Sequence, residues 1–373
     1  SATGRPTWRT AVAGAPRVHR AARAIHTGDG DLKKVLPLLL LCLLGLGAAA
    51  YLELQQRWQS TLTLPQEGYR LSIGAGESLR SVASRLREDG VYRDDWLLRL
   101  YARYTGADQQ IKRGEYLLET GTTPSALLDL LISGEVIRYQ VTLPEGITLA
   151  QAIKILSAAP SLQHLLAGPD DERIVDLVAP SASGEGWFFP DTYQFERGAS
   201  DWQILQRAHT AMKAVLQQEW EQRAQGLPYQ SPYEALVMAS IVERETGLAQ
   251  ERGQIAGVFV RRLQRNMRLQ TDPTVIYGLG DEFDGNLRRV HLRDEANPFN
   301  TYRHKGLPPT PIALPGRAAI HAALHPEDGA SLFFVARGDG GHYFSETLAE
   351  HERAVRKYQL QRRQDYRSAP GKE

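Results

Sequence analysis

Two glutamates, Glu243 and Glu245, stand near the end of a segment whose other signals are those of a buried helix. Residues 231–247 read Ser-Pro-Tyr-Glu-Ala-Leu-Val-Met-Ala-Ser-Ile-Val-Glu-Arg-Glu-Thr-Gly. Ser231 can cap the N-terminus, Pro232 suits the first helical position, Glu234 would close a capping box, and Gly247 would supply a left-handed stop. At about 100° per residue, Glu243 falls between Leu236, Ala239 and Ser240, while Glu245 falls with Met238, Ile241 and Glu234. Nearly every direction around this helix is apolar. A carboxyl group held there loses hydration and can keep a proton near neutral pH, as a general acid must. A buried glutamate paired to an arginine for structure alone fits the same pattern.

The segments around this helix tilt the reading toward chemistry. Residues 268–278 (Arg-Leu-Gln-Thr-Asp-Pro-Thr-Val-Ile-Tyr-Gly), 297–302 (Asn-Pro-Phe-Asn-Thr-Tyr) and 306–316 (Gly-Leu-Pro-Pro-Thr-Pro-Ile-Ala-Leu-Pro-Gly) each read as a rigid Pro- and Gly-rich loop. Their amides, hydroxyls and phenols suit a neutral polyol such as a sugar. Together with Glu-Gly-Trp-Phe-Phe-Pro-Asp-Thr-Tyr at 185–193, these motifs resemble the YceG-like family, the endolytic murein transglycosylases, over about residues 69–358. The family commonly has Gly where this chain has Thr310.

The resemblance implies cleavage between MurNAc and GlcNAc within nascent peptidoglycan strands, leaving 1,6-anhydro-MurNAc ends, in cell wall assembly and control of glycan length. It places the catalytic acid at Glu243, the first Glu of Val-Glu-Arg-Glu, with Ala239 and Ser240 one turn earlier leaving room for sugar. Glu245, Gln270, Thr271, Asp272, Tyr277, Asn300, Thr301 and Tyr302 would bind substrate, with Glu185 also binding it by orienting one wall of the cleft. Arg244 and Arg268 are candidates to pair with Glu245 or Asp272. An Asp before a Pro also commonly just starts a turn, so Asp272 has a purely structural reading too.

Ordinary glycosidases need two carboxyls. A lytic transglycosylase can work with one, because the C6 hydroxyl of the cleaved sugar is an internal nucleophile. Two rivals remain: a muramidase using water, with Glu245 or Asp272 as second carboxylate, and a non-catalytic, membrane-anchored glycan-binding scaffold. Other chemistries find little support. His321 and His325 are spaced like two metal ligands, but no third is evident in sequence, so neither a metal nor another cofactor is expected. No Gly-x-Ser-x-Gly elbow or phosphate-binding glycine loop occurs, and the single cysteine, Cys42, lies in an apolar run. His342 reads as a strand-end residue that could line the cleft.

The surrounding elements must position this chemistry outside the cytoplasm. Residues 35–52 carry no charge, and as a helix they would span roughly 27 Å, enough for a bilayer core. Residues 1–34 are basic and aperiodic, reading as a disordered cytoplasmic tail that orients a single-pass anchor of a bacterial inner membrane, with the remainder periplasmic or extracytoplasmic. Ala48-Ala49-Ala50 could serve as a signal cleavage site, but the length of the run favours an uncleaved anchor. The net charge of +1 over 373 residues argues against nucleic acid as the main partner. Glycan strands and the membrane are the expected partners, with peptidoglycan synthases a further candidate.

After a linker at 53–66, residues 67–139 form a small unit. The pattern predicts strands at 69–73 and 114–118 and helices starting near Ser78, Trp96 and Thr123. Its strand, Gly-Glu-Ser-Leu turn and helix resemble a LysM-like module, which would bind glycan or serve only as a spacer. The phrase Gly146-Ile147-Thr148-Leu149 repeats this turn-into-helix grammar. Residues 140–358 mix candidate strands at 140–143, 332–336 and 342–344 with helices at 202–223, 232–246 and 255–265. An α+β domain with helices on a small antiparallel sheet fits best. A polar tail occupies 359–373.

Overall fold

A computed structural model describes residues 29–360 of the chain. The tail expected at 1–34 and the polar tail at 359–373 therefore lie almost wholly outside the described residues. In chain order the elements are α1 (Asp29–Gln59), β1 (Tyr69–Ile73), α2 (Leu79–Glu88), α3 (Asp95–Thr105), β2 (Gly114–Leu118), α4 (Pro124–Ser133), β3 (Arg138–Thr142) and α5 (Leu149–Ser157). They continue with α6 (Glu172–Val178), β4 (Thr192–Glu196), α7 (Asp201–Glu221), α8 (Pro232–Glu245), α9 (Arg252–Gln264) and α10 (Asp272–Leu279). The last are α11 (Arg289–Arg293), α12 (Arg317–Leu324), β5 (Phe333–Ala336), β6 (His342–Ser345) and α13 (Leu348–Val355).

The apolar part of α1, Leu36–Gln59, is long enough to cross a membrane, and its leucines are exposed on the protein. The expected linker at 53–66 is in large part ordered structure. The helix runs on to Gln59, and Trp58, 6% exposed, packs into the core of the next unit and against Tyr101. Leu62 N–H then donates to Thr122 O (2.8 Å) and Thr63 N–H to Val91 O (3.0 Å). The apolar helix is thus continuous with the unit it carries.

In that unit β1 and β2 pair antiparallel, Tyr69 opposite Leu118 and Ile73 opposite Gly114. The alternation of β1 buries Leu71 and Ile73 against α2, α3 and α4. Ser78 and Thr123 cap α2 and α4 by accepting backbone N–H bonds from Ser81 and Ala126, and Gly134 ends α4 in the left-handed conformation. These boundaries agree with the sequence reading because each rests on contacts within a few residues.

The larger unit corrects one expectation. Instead of one small sheet it has two separate antiparallel ribbons, β3–β4 and β5–β6. β4 lies just beyond the Trp-Phe-Phe-Pro motif. Its register puts Arg138 opposite Glu196 and Thr142 opposite Thr192, burying Val141, Tyr193 and Phe195 with α5, α6 and the start of α7. A second core surrounds α8, whose residues from Ala235 to Val242 are all buried, enclosed by α7, α9, α10 and α12. Mixed helices and small antiparallel ribbons make this an α+β fold.

Candidate active site

The ends of α8 differ in detail from their sequence reading. Ser231 Oγ accepts from Glu234 N–H (3.3 Å), but Glu234 reaches back to Gln230 N–H (2.6 Å) rather than to Ser231, so the box is displaced by one residue. The helix stops at Glu245 because Thr246 turns extended (φ −144°, ψ 137°) and its hydroxyl takes Leu248 N–H (3.0 Å). The left-handed glycine stop expected at Gly247 is not used.

Glu243 leaves this last turn toward the loop that ends the third motif. Its side chain is 6% exposed, and Oε2 accepts the N–H of Gly316 at 3.0 Å. Arg252, at the start of α9, places Nη2 3.8 Å from Oε1, and its Nε finds no hydrogen-bond partner among the described residues. Arg244 turns away and donates to Gly146 O (2.8 Å). Burial raises the Glu243 carboxyl above its ordinary value; the Gly316 N–H opposes this, the charge of Glu145 adds to it, and Arg252 and Arg244 oppose it. A desolvated carboxyl whose pKa is raised is the kind of group a general acid requires.

Ala239 and Ser240 do not leave room for sugar. Both are fully buried, and Ser240 Oγ donates to Val237 O (2.7 Å) while accepting Ile312 N–H (3.0 Å). Their smallness admits the 306–316 loop instead. That loop also pairs with the turn before α5: Gly146 N–H donates to Leu314 O (2.9 Å) and Leu314 N–H to Ile147 O (2.8 Å).

Glu245, two residues beyond Glu243, faces another neighbourhood. Its Oε1 accepts the Thr271 hydroxyl at 2.6 Å, and burial pushes its pKa up to about 7. Thr271 N–H donates to Thr301 Oγ1 (3.1 Å), and Thr301 shares a hydroxyl contact with Thr274 (2.9 Å). Thr271 and Thr301 are buried, and their polar atoms are used within the fold. The expected loop at 268–278 is mostly helix: Asp272 and Pro273 form the first turn of α10, as Pro allows at that position.

Glu185 likewise does not form a cleft wall. It is 4% exposed, and both carboxylate oxygens take Leu149 N–H (3.0 and 3.2 Å) while Oε2 accepts the Tyr277 hydroxyl (3.2 Å). It thereby satisfies an orphan donor at the start of α5 and ties it to α10. Burial pushes its pKa up to about 7 and raises that of Tyr277. Tyr277 also packs edge-on against Phe299, ring centroids 4.8 Å apart. Asn300 is fully buried: its amide donates to His291 O (3.1 Å) and Asp294 O (2.6 Å), and its carbonyl takes Tyr302 N–H (3.0 Å). Glu185, Tyr277, Thr271, Thr301 and Asn300, expected as sugar contacts, thus each have hydrogen-bond partners within the fold.

Gln270 and Asp272 are exposed, and Tyr302 is half-buried beside them. Gln270 sits at φ +54°, its N–H donating to Thr301 O (3.2 Å) and its side-chain carbonyl accepting from Arg262 (3.3 Å). Asp272 accepts the Tyr302 hydroxyl at 2.7 Å. Neither Arg244 nor Arg268 pairs with Glu245 or Asp272; Arg262 is the arginine that binds this loop, through the carbonyls of Arg268 (3.1 Å) and Leu269 (2.8 Å).

Two residues beside Glu243 were not singled out in sequence, Glu145 and Arg252. A signal existed for Arg252, since a cation in the first turn of a helix opposes the dipole and wants another reason to be there. For Glu145 the only local sign was its place before Gly146, whose φ of +76° makes the tight turn into α5. His342 does not face the acid. It binds Glu251 through its N–H (2.9 Å) and Nδ1 (2.8 Å), fastening β6 beside Arg252.

A third potential metal ligand also emerges, since Glu219 on α7 brings a carboxylate oxygen within 4.8 Å of ligand atoms on His321 and His325. Glu219 already pairs with Arg317 (3.0 Å) and His321 (2.8 Å), so the cluster ties α7 to α12.

The chain is similar to known proteins over most of its length. The YceG-like family model matches residues 71–357. The endolytic murein transglycosylase of Bacillus subtilis strain 168 is 31% identical over 308 residues, covering 77% of this chain and 84% of the relative. That of Streptococcus pneumoniae serotype 2 strain D39 is 25% identical over 319 residues, with 76% of this chain and 57% of the relative covered. The crystal structure of a YceG-like protein from Listeria monocytogenes matches at 28% identity with a TM-score of 0.50, over 78% of this chain and 99% of that one. With motifs, fold and relatives in agreement across most of its length, the chain belongs to the YceG-like family.

Proposed function

We propose that the protein is a membrane-anchored endolytic lytic transglycosylase, with Glu243 as its single acid and base. Glu243 gives its proton to the glycosidic oxygen between MurNAc and GlcNAc. The carboxylate so formed takes the proton of the MurNAc C6 hydroxyl as that oxygen attacks C1, closing a 1,6-anhydro ring and releasing a new GlcNAc end. Bonds and protons balance without water. The Gly316 N–H at 3.0 Å orients the carboxyl and steadies it once charged. Gln270, Asp272 and Tyr302, at the rim, are the proposed sugar contacts, while Glu185, Glu245, Thr271, Tyr277, Asn300 and Thr301 hold the framework.

The observation carrying this reading is the buried carboxyl of Glu243, held by the Gly316 N–H and raised above its ordinary pKa by burial. Two carboxyls considered for water activation are engaged elsewhere, Glu245 by Thr271 and Asp272 by Tyr302. The apolar α1 is the proposed anchor, with the body of the chain on the extracytoplasmic side and peptidoglycan synthases as candidate neighbours. The β1–α2–α3–β2 order supports a LysM-like reading of residues 67–139.

Digestion of purified peptidoglycan in water enriched in heavy oxygen tests the chemistry. The new MurNAc ends should be one water lighter than reducing ends and carry no heavy oxygen. Incorporation at C1 would establish hydrolysis and overturn the reading, and absence of any cut by folded protein on uncrosslinked glycan would favour a binding scaffold.

A further inference from the structure

Glu145 lies in the turn between β3 and α5, and its position is set by backbone pairing. On one side Gly146 N–H and Ile147 O pair with Leu314, and on the other Arg244 of α8 grips Gly146 O. The side chain is thereby laid over Gly316, the residue whose N–H holds Glu243. A Cβ on Gly316 would stand 1.8 Å from Glu145 Oε1 and 2.3 Å from its Cδ, so the Glu145 carboxylate lies directly against Gly316. Gly146 itself approaches Glu243, its would-be Cβ 3.7 Å from Glu243 Cγ. Glu145 is exposed whereas the Glu243 side chain is buried, which puts Glu145 on the open side of the acid. Among the described residues, the charges acting on Glu243 are Glu145 from the β3–α5 turn, Arg252 from α9 and, from its own helix, Arg244, whose guanidinium is turned to Gly146 O; the neutral Gly316 N–H at the start of α12 bonds it directly.

We propose that Glu145 is a second carboxylate of the reaction centre, a positioning residue whose negative charge, laid over Gly316, keeps the proton on Glu243 until the glycosidic oxygen takes it. Arg252, Arg244 and the Gly316 N–H all favour the ionised form of Glu243. Glu145 is the only group among those facing it that favours the protonated form. When a glycan strand covers the cleft and displaces water, screening falls and this opposition strengthens. The same charge then makes the Glu243 carboxylate a stronger base for the C6 hydroxyl. Glu145 thus acts in both halves of the cycle without itself transferring a proton.

This inference rests on the transglycosylase reading, and the wild-type product analysis above decides that reading separately. The test of Glu145 is the pH profile of kcat/KM for cleavage of uncrosslinked glycan by the full-length protein and its Glu145→Gln and Glu145→Asp variants. An acid must be protonated, so activity falls as pH rises through the pKa of Glu243. Removing the neighbouring negative charge lowers that pKa. Glu145→Gln should therefore move the alkaline limb to lower pH and reduce turnover about tenfold at neutral pH while recovering toward wild type in acid, with glycan binding and thermal midpoint retained. Glu145→Asp, which keeps the charge, should hold the limb near its wild-type position, and it remains informative if the Gln variant folds poorly. An unmoved limb in folded Glu145→Gln, or equal loss at every pH in both variants, overturns the proposal.

Discussion

Glu243 and Glu245 leave the same turn of α8, and their surroundings send them to different tasks. Around Glu243 the nearest donor is one backbone N–H, and the nearest arginine nitrogen stands 3.8 Å away. Around Glu245 a threonine hydroxyl at 2.6 Å begins a closed chain of contacts, from Thr271 to Thr301 to Thr274, with no outlet toward solvent at the two buried threonines nearest it. Both carboxyls are desolvated and both are shifted upward. A raised pKa therefore does not distinguish an acid that reacts from one that fastens a loop. The distinction lies in what each carboxyl touches: a backbone N–H of the 306–316 loop and an arginine for Glu243, a hydroxyl of a buried threonine network for Glu245.

The largest expected effect separates the two sites directly. Glu243→Gln should lower cleavage by at least about a thousandfold with an unchanged thermal midpoint and retained glycan binding, as removal of an essential general acid does. Glu245→Gln should keep measurable turnover. Comparable losses in both variants would break the comparison.

A second effect concerns pH and stability. Glu245 and Glu185, ordinarily near 4.5, are pushed up to about 7 in the folded chain. Below about 4.5 the folded and unfolded chains both hold these protons; between about 4.5 and about 7 the folded chain holds more. Stability contributed by these groups should therefore fall as pH rises across that window and level off above it. Urea unfolding from pH 4 to pH 8 should show a shallower fall in Glu245→Gln and in Glu185→Gln than in wild type. If both variants reproduce the wild-type slope, the two carboxyls are not the groups responsible.

Smaller effects should follow from single contacts in the closed chain. Thr271→Val leaves the buried Glu245 without its donor and should cost about 1–3 kcal/mol in chemical denaturation, with turnover reduced only in proportion to unfolding. Tyr302→Phe removes the hydroxyl that Asp272 accepts. At this rim position it should cost about 1 kcal/mol or less in stability and raise KM more than it lowers kcat. A kcat loss as deep as that of Glu243→Gln would move Tyr302 into the reaction itself.

Residues whose partners are near in sequence are legible in the sequence itself. Ser78, Thr123 and Ser231 cap the helices that follow them, Gly134 ends α4, and the alternation of 69–73 and 114–118 marks the two strands that pair. The unbroken apolar surface of α8 also follows from periodicity, and with it the conclusion that Glu243 is desolvated. The order of motifs is enough to identify the family. In each case a cap, a turn or a helical period depends on residues within about one or two turns, so the sequence of that stretch contains the whole interaction.

Tertiary structure alone decided which polar residues are bonded inside the fold. Asn300, Thr301 and Thr271 have the chemistry of sugar ligands, yet their amide and hydroxyls are consumed inside the fold because a buried polar group must find a partner. Arg244 meets Gly146 across 98 residues of chain, and Gly316 meets Glu243 across 73. No local pattern encodes such pairings, since they arise only when separate helices and turns pack around α8. That packing brought Glu145 over Gly316 and Arg252 beside the acid, and it tied Glu245 into a threonine network while setting Glu243 against the Gly316 N–H.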